Sequence, residues 1–444
     1  MLTKACWALS IQDLGLFLNK GVAYLRFLWD SPDTAAFFKE SAPSLNSCKG
    51  DPVRRGRTGK LEITTTGGEA VRAFVPDPLP PAPPVQLEGS LNRLFEQSLL
   101  SLGRLDNITT LLPDTALFLY TYVRKEAVLS SQIEGTQSSL SDLLFYELEE
   151  VPGVPIHDAQ EVALYVAALN HGLKRLRDGF PVSNRLIREI HGVLLSGGRG
   201  SDKSPGVFRR SQNWVGGTRP GNAVYVPPPP QHVIPCMSDL ERYLHAKKRT
   251  APVLIKAALA HVQFETIHPF LDGNGRVGRL IITFLLCAEG VLQDPLLYLS
   301  LYFKQNRTEY YRLLGQVREV GDWEEWIEFF LTGIRETADG AVTTAQRLIA
   351  LFEEDRKRIQ QQGRAAGSGL RVHEALKQRP ILSQPQVAEM TQLSPPTVAA
   401  TLRLLERMGI ARELTNRKRN KLFGYTEYLS HLAEGTEPIS TDSR

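Results

Sequence analysis

The 444-residue chain contains the run His268-Pro269-Phe270-Leu271-Asp272-Gly273-Asn274-Gly275-Arg276-Val277-Gly278-Arg279, from which most of its architecture can be argued. The preceding segment has helical periodicity to about Phe264, and a second helical pattern begins near Gly275. The glycines and the asparagine between them allow successive backbone N–H groups to point into one concavity at a helix N-terminus. We therefore predict an anion-binding turn between two helices.

The charged side chains of this run suit phosphoryl or nucleotidyl transfer. Arg276 and Arg279 are three residues apart and share a helix face. Both are expected in the first turn, where a cation is disfavoured unless an anion lies beside it. Asp272 is a hard oxygen ligand, suited to a Mg²⁺ ion that phosphate oxygens share. His268 is a titratable base. Any one of these residues is typical of an ordinary loop, but together they indicate a polyphosphate site.

The run resembles the Fic family signature, HxFx(D/E)GNGRxxR, at every specified position. The resemblance implies a mainly α-helical Fic core with a β-hairpin flap. It also implies transfer of AMP from ATP to a Tyr, Ser or Thr hydroxyl, on a target protein or on the enzyme itself, with release of pyrophosphate. In this interpretation His268 is the base, Asp272 holds Mg²⁺, and Phe270 anchors the loop in the core. The nucleotide-binding residues implied for this run are Gly273, Asn274, Gly275, Arg276, Val277, Gly278 and Arg279.

A second segment, Ser130-Ser131-Gln132-Ile133-Glu134-Gly135, ends a predicted helix, Leu117 to Leu129. On physical grounds alone it is an ordinary helix end with Gly135 as its cap. It also resembles the inhibitory motif of the Fic family, (S/T)xxxE(G/N), with Ser130, Glu134 and Gly135 at the specified positions. The resemblance implies that Glu134 pairs with Arg279 and competes with the γ-phosphate of ATP. Glu134 is alternatively placed to position a water for the reverse, de-adenylylating reaction.

Two further regions are predicted to line the site. Residues Asn222, Ala223, Val224 and Tyr225 form a short strand pattern that resembles the family's flap, whose free edge registers a target segment by main-chain pairing. A plain surface hairpin is the alternative. Asn306, Tyr310 and Tyr311 lie on a predicted helix, where the family lines its adenine pocket. Aromatic pairs are also typical of a core, and these two interpretations are evenly balanced.

The C-terminal part reads as a winged helix. Helical patterns at Gln384 to Thr391 and Thr397 to Met408 have helix-turn-helix spacing, and two short strand patterns flank a basic turn. Residues 401–421 contain seven basic and two acidic side chains, a net charge of +5. The pattern suits contact with a DNA backbone and equally suits dimerisation or target docking. A DNA-binding regulator with a nucleotide-sensing or self-modifying Fic domain is therefore the alternative to an enzyme.

Composition limits the classes of protein. Hydrophobic residues make up 42% and charged residues 23%, which excludes a chain disordered throughout and a membrane bundle. The four cysteines are far apart, so no zinc or disulfide framework is predicted and a cytoplasmic location is expected. A homodimer is also expected. The predicted organisation is an unassigned extension (1–55), a Fic-associated region with a hairpin (56–115), the catalytic core (116–350), a linker (351–369), the winged helix (370–430) and a tail (431–444).

Overall fold

The computed structural model describes residues 53, 55–111, 115–147, 156–246, 251–415 and 421–438. The unassigned extension therefore lies outside the described residues except for Val53 and Arg55. Most of the basic turn of the C-terminal domain, residues 416–420, also lies outside them. Within the described part the fold is mainly α-helical, as the sequence predicts.

The chain first forms an antiparallel hairpin. Strands β1 (Gly59–Thr66) and β2 (Glu69–Pro76) pair in full register from Gly59 opposite Pro76 to Thr66 opposite Glu69. Gly67 and Gly68 close the turn with φ values of +57° and +80°, which a two-residue hairpin of this kind requires and glycine adopts without strain. The predicted hairpin is thus present.

A large helical core follows the hairpin. Its helices are α1 (Gly89–Leu111), α2 (Thr115–Ile133), α3 (Leu140–Tyr146), α4 (Ile156–Arg177), α5 (Asn184–Leu194), α6 (Pro230–Leu244), α7 (Val253–Ile267), α8 (Asn274–Ala288), α9 (Ser300–Gln305), α10 (Arg307–Val320) and α11 (Trp323–Gln360). Helices α7 and α8 are buried on almost every face, since they are apolar nearly all round. They form the centre of the fold and pack against each other, so the turn between them is held on both sides.

The predicted flap strand is largely wrong. Pro220–Asn222 forms a short 3-10 helix, and the only ladder contact of this segment among the described residues is an isolated bridge between Val215 and Tyr225. The side-chain oxygen of Asn222 accepts hydrogen bonds from the N–H groups of Thr218 and Arg219, which ends the turn. Strand pairing does not continue beyond Tyr225 and Val226, because the prolines that follow Val226 have no N–H to donate. We call residues 213–226 the flap segment.

The N-terminal hairpin packs on the flap segment. The N–H of Phe74 donates to the carbonyl of Val226 at 2.9 Å. Val71, Ala73 and Val226 form a small buried cluster of their own. One edge of the flap segment is therefore already covered by β2, whereas Val224 is 83% exposed.

The C-terminal domain has the predicted winged-helix order. It contains α12 (Ala366–Gln378), β3 (Ile381–Ser383), α13 (Gln384–Thr391), α14 (Pro395–Arg407), β4 (Ala411–Glu413), β5 (Leu422–Tyr425) and α15 (Thr426–Ala433). The three strands form one antiparallel sheet in the order β3-β5-β4.

Residues 351–360, assigned to a linker from the sequence, instead continue α11. The reason is burial: Phe352 packs against the rings of Tyr425 and Tyr428, and the Tyr425 hydroxyl donates to Asp355 at 2.7 Å. The winged helix is thus anchored on the last turns of the core's longest helix. Among the described helices, none is both long and apolar enough to cross a membrane.

Candidate active site

The turn between α7 and α8 has an unusual backbone. Helix α7 runs to Ile267, three residues beyond the predicted end, and His268 follows it in the left-handed region with φ +49°. Gly273, the residue before α8, also has a positive φ of +75°. A non-glycine residue in this region is uncommon and is held there by its surroundings. The turn therefore presents His268 on one side and the free N–H groups of the α8 N-terminus on the other.

Asn274 holds this turn closed. Its side chain accepts from the N–H of Phe270 and donates to the carbonyl of the same residue, both at 2.9 Å. Phe270 is fully buried, as predicted for an anchor, and its ring stacks on His191 with centroids 3.7 Å apart. The Asn274 side chain thus shapes the loop, while its backbone N–H belongs to the first turn of α8.

The sequence did not single out His191, which lies on α5 and is fully buried. Its Nδ1 accepts from the N–H of Gly206, so its Nε2 carries the proton and donates to the carbonyl of Asp272 at 3.1 Å. Burial lowers the pKa of His191 to about 4, so the ring stays neutral and keeps this tautomer. This hydrogen bond holds the backbone of Asp272 in place, directly before Gly273.

Arg276 is almost fully buried, and its guanidinium is 3.4 Å from the carboxylate of Glu161 on α4. Glu161 is buried too and also pairs with Arg199 at 3.3 Å. Burial outweighs the two arginines and raises the pKa of Glu161. The Nε of Arg276 is buried and has no hydrogen-bond partner among the described residues, so a donor is available in this site.

Arg279 binds the segment that resembles the inhibitory motif. Its guanidinium donates to Glu134 at 2.7 Å, to the Ser130 hydroxyl at 2.8 Å and to the Ser130 carbonyl at 2.9 Å. Arg279 is 3% exposed, and burial would raise the pKa of Glu134, but the Arg279 guanidinium outweighs it and holds that pKa below its usual range. A Cβ on Gly275 would overlap Oε1 of Glu134, so this carboxylate lies directly over the first turn of α8.

Helix α2 ends at Ile133, and Gly135 leaves it with φ +104°. Ser130 therefore reaches the Arg279 guanidinium from the last turn of α2, and Glu134 reaches it from just beyond the end of that helix. Arg276 and Arg279 are both buried toward the site, as their spacing predicted, although Arg279 lies in the second turn of α8 rather than in the first.

His268 has the electrostatics of a neutral base. Burial, and then the nearby Arg209 cation, lower its pKa to about 4, against a smaller opposing effect of Glu134. The imidazole is therefore unprotonated at neutral pH and can accept a proton.

Asp272 remains half exposed beside the loop, and its Oδ1 accepts from the N–H of Gly273 at 2.6 Å. No cluster of three or more His, Cys, Asp or Glu side chains that could enclose a metal occurs in the described residues. A single open carboxylate beside an anion site does fit Mg²⁺, which keeps several waters and shares phosphate oxygens rather than filling an all-protein cage.

The three residues predicted to line the adenine pocket lie in different environments. Tyr310 is 1% exposed, and it stacks on Phe303. Its hydroxyl donates to Nε2 of His261 at 2.8 Å, because Nδ1 of that ring donates to the Gly278 carbonyl, so Tyr310 belongs to the aromatic core. Tyr311 is 41% exposed and close enough to Glu134 and Arg279 to sense both charges. Asn306 precedes α10 and donates to the carbonyl of Tyr302. Of the three, Tyr311 has the position expected of a nucleotide contact.

These features define a helical domain in which a central turn and a helix N-terminus form an anion site, covered by a carboxylate from a preceding helix. The family described as Fic/DOC matches residues 181–286, and the Fic/DOC N-terminal family matches residues 93–174. A winged helix-turn-helix DNA-binding family matches residues 368–412. Two consecutive parts of the chain therefore match Fic/DOC family models, and a third part matches a winged helix-turn-helix model, in the order that the sequence indicated.

Known proteins agree with this assignment. The chain is 31% identical over 190 residues to a protein adenylyltransferase Fic of Drosophila ananassae, covering 43% of this chain and 35% of that protein. It is 36% identical over 154 residues to the Aedes aegypti protein of the same name, covering 34% of this chain and 28% of that one. The match thus spans about a third of the length of these relatives. A Fic family protein from Desulfovibrio desulfuricans G20 has a similar fold, with a TM-score of 0.51, 21% identity and coverage of 77% of this chain and 98% of that one.

Proposed function

We propose that the protein is an autoinhibited protein adenylyltransferase, which transfers AMP from ATP to a Tyr, Ser or Thr hydroxyl of a target protein or of itself. The observation that carries the proposal is the turn between α7 and α8. It brings the half-buried, neutral His268 beside a helix N-terminus whose two buried arginines face carboxylates. The printed names of the Drosophila and Aedes relatives support the same reaction.

In the proposed reaction His268 takes the proton of the target hydroxyl. The hydroxyl oxygen forms a bond to the α-phosphorus of ATP, and the bond from that phosphorus to the bridging oxygen of the β-phosphate breaks. Pyrophosphate leaves with the electron pair of that bond. The product is a phosphodiester between AMP and the target side chain, and a general base typically contributes about 10²–10⁴-fold to such a step.

The remaining residues of the run would hold the nucleotide. The N–H groups at Asn274 and Gly275 suit phosphate oxygens, and the Gly273 N–H would join them in exchange for its bond to Asp272. Arg276 and Arg279 suit the β- and γ-phosphates. Val277 and Gly278 lie between these two arginines on α8, and both are buried. Asp272 would hold Mg²⁺, which neutralises phosphate charge when it is bound. Tyr311 would contact the adenine side of the site, with Asn306 shaping the end of α10 and Tyr310 supporting it from the core.

Autoinhibition follows from competition for one guanidinium. The carboxylate of Glu134 occupies the fork of Arg279 that the γ-phosphate would need. ATP would then bind in a pose that does not react. Because Glu134 lies over the site, it could also orient a water for removal of AMP, which makes de-adenylylation a second reaction for the same residues.

Target selection is proposed for the flap segment. Val224 is exposed at its tip, and Tyr225 anchors its base by donating to the carbonyl of Thr266 at 2.6 Å. Since β2 already covers Val226, a target would approach the opposite edge. Asn222 and Ala223 would shape the turn that carries this edge.

Purified protein should be incubated with ATP labelled at the α-phosphate and a cell lysate, alongside the Glu134→Gly and His268→Ala variants. Label should appear on protein and be lost by about 10²–10⁴-fold in His268→Ala. ATP binding should remain close to wild type in that variant. Transfer within a few-fold of wild type in His268→Ala would contradict the role assigned to His268.

DNA binding is a second candidate, because the matched winged helix carries a basic exposed face. On α14 the buried residues Val398, Leu402 and Leu405 leave Arg403 and Arg407 on the opposite, exposed side. Duplex binding should weaken with salt at a log–log slope of about −0.9 per phosphate contacted. Neutralising Arg417, Lys418, Arg419 and Lys421 together should flatten that slope.

A homodimer also stays a prediction, and the oligomeric state measured by light scattering tests it.

A further inference from the structure

One buried cation near His268 has no part in the nucleotide site. Arg209 lies between α5 and α6, is 4% exposed, and points toward the C-terminal end of α7. All its side-chain hydrogen bonds go to backbone carbonyls: His268 at 2.9 Å, Ser211 at 3.2 Å, Pro228 at 2.5 Å and Ile267 at 3.4 Å. Its own N–H donates to the carbonyl of Pro269 at 2.9 Å. Arg209 therefore contacts three consecutive residues of the active-site turn.

Among the described residues, no carboxylate forms an ion pair with Arg209. Burial therefore lowers the pKa of its guanidinium, to about 10. An unpaired buried cation is costly unless carbonyl dipoles replace water around it. The last carbonyls of α7 supply those dipoles, because a helix C-terminus carries partial negative charge. The guanidinium of Arg209 thus caps the C-terminal end of α7.

The position of His268 explains what this cap achieves. Its left-handed φ of +49° is a strained conformation for a residue other than glycine. The hydrogen bond from Arg209 holds the His268 carbonyl, and the bond to Pro269 holds the next one, so the backbone cannot relax into a longer helix. The same guanidinium grips Pro228, just beyond the flap segment.

We propose that Arg209 is the positioning residue for His268, and that it fixes the left-handed turn and ties it to the base of the flap segment. The proposal rests on the proposed transferase function. Arg209 does not reach the reacting atoms in this account. It acts through the backbone of His268, and misplacing a reacting group by about 1 Å can cost about 10²-fold in rate.

Electrostatics support the same role. The charged groups that act on the His268 ring are Arg209, Glu134 and Arg318, with the Glu265 carbonyl as a hydrogen-bond partner. Arg209 is the larger of the two cations in its effect, and both favour the neutral ring. Removing it should therefore raise the pKa of His268.

The test uses full-length protein that also carries Glu134→Gly, so that transfer is not masked by the inhibitory carboxylate. Arg209→Lys and Arg209→Met are compared with Arg210→Met, a matched control at the next residue, whose arginine is exposed. Three quantities are measured: the ATP dissociation constant, the rate of label transfer at saturating ATP, and the pKa of His268 from NMR of histidine-labelled protein. Lysine keeps the charge but cannot span several carbonyls.

Arg209→Met should lower the transfer rate about ten- to a hundred-fold with an ATP dissociation constant within about threefold of its parent. The pKa of His268 should rise in Arg209→Met and stay closer to its parent in Arg209→Lys. Arg210→Met should change none of these. An unchanged rate, or a loss of ATP binding as large as the loss of rate, would overturn the proposal. If the parent protein transfers no label to any protein, the proposed function fails, and the His268 pKa still decides the role of Arg209.

Discussion

At the scale of single residues, the two phosphate-site arginines are held by two different kinds of carboxylate. Glu161 lies in the second turn of α4 and is 3% exposed, whereas Glu134 follows the end of α2 and its side chain is 30% exposed. A carboxylate at a helix end can leave its partner without unfolding a helix. Glu134 is therefore suited to be displaced, and Glu161 is suited to hold Arg276 permanently.

We expect Glu134→Gly to raise transfer. The change frees the Arg279 guanidinium for the γ-phosphate, and a partly buried pair of this kind is costly to break, so the gain should be about tenfold or more. The measurement is incorporation of label from ATP at equal protein concentrations. The double variant Glu134→Gly with Arg279→Ala should lose most of the gain, because the same guanidinium is needed in both states. Activity at or below wild type in folded Glu134→Gly would leave Ser130 to Gly135 as an ordinary helix end.

The pH dependence of transfer should be that of a histidine with a depressed pKa. His268 acts only when unprotonated, and its pKa of about 4 leaves it unprotonated from pH 8 down to pH 6. An unperturbed histidine would lose about three quarters of its neutral form over the same range. In Glu134→Gly the pKa should fall further, since that carboxylate raises it. The rate of that variant at saturating nucleotide is therefore expected to be flat between pH 6 and 8, and a midpoint near pH 6.5 would be inconsistent with a half-buried ring that stays neutral.

At the scale of the elements, the site depends on how closely α4 approaches α8. Gly172 on α4 is buried against the ring of Phe284 on α8, and an added Cβ would overlap that ring. Phe284 is fully buried, so it has no free space into which it could move. The glycine is thus required by contact between two helices rather than by a positive φ.

Gly172→Ala should lower the free energy of unfolding by about 1–2 kcal/mol, because overpacking outweighs the gain in helix propensity. Gly103→Ala is the control: this exposed glycine also lies inside a helix, α1, but a Cβ there would meet nothing within 4 Å. That variant should be more stable than wild type by about 0.5–1 kcal/mol. Urea unfolding of the Gly172→Ala and Gly103→Ala variants measures both changes. A Gly172→Ala variant more stable than wild type would contradict the close α4–α8 contact described above.

The elements also show what the sequence could reveal. The run from His268 to Arg279 is contiguous, so its loop, its helix and its buried arginines were predictable from local spacing. Glu161, His191 and Arg209 were not, because each acts on the loop from a distant segment and none has a distinctive neighbour. The flap strand failed for a local reason: alternating residues at Asn222 to Val226 look like a strand, but the prolines around them remove the donors that pairing needs.

At the scale of the whole molecule, the segment after the winged helix contacts the segment from Ser130 to Gly135. Gln132 is 1% exposed, and its amide donates to the carbonyl of Thr436 at 2.8 Å and to that of Ser138 at 2.9 Å. Lys304 donates to the carbonyl of Gly435 at 3.0 Å. The end of α2 that carries Glu134 is thus held partly by residues that follow α15.

Removing residues 434–444 should therefore raise transfer, since Gln132 loses a buried acceptor and the turn carrying Glu134 is held less firmly. The matched control is a chain ending at Pro438, which keeps Thr436 and should behave like wild type. Both truncations are also made in Glu134→Gly, where no inhibitory pair remains to be loosened, so the longer truncation should add nothing there. If the longer truncation acted only by destabilising the core, it would lower transfer in both backgrounds. A gain of transfer with Glu134 present and no gain without it would connect the winged-helix end of the chain to the inhibitory carboxylate.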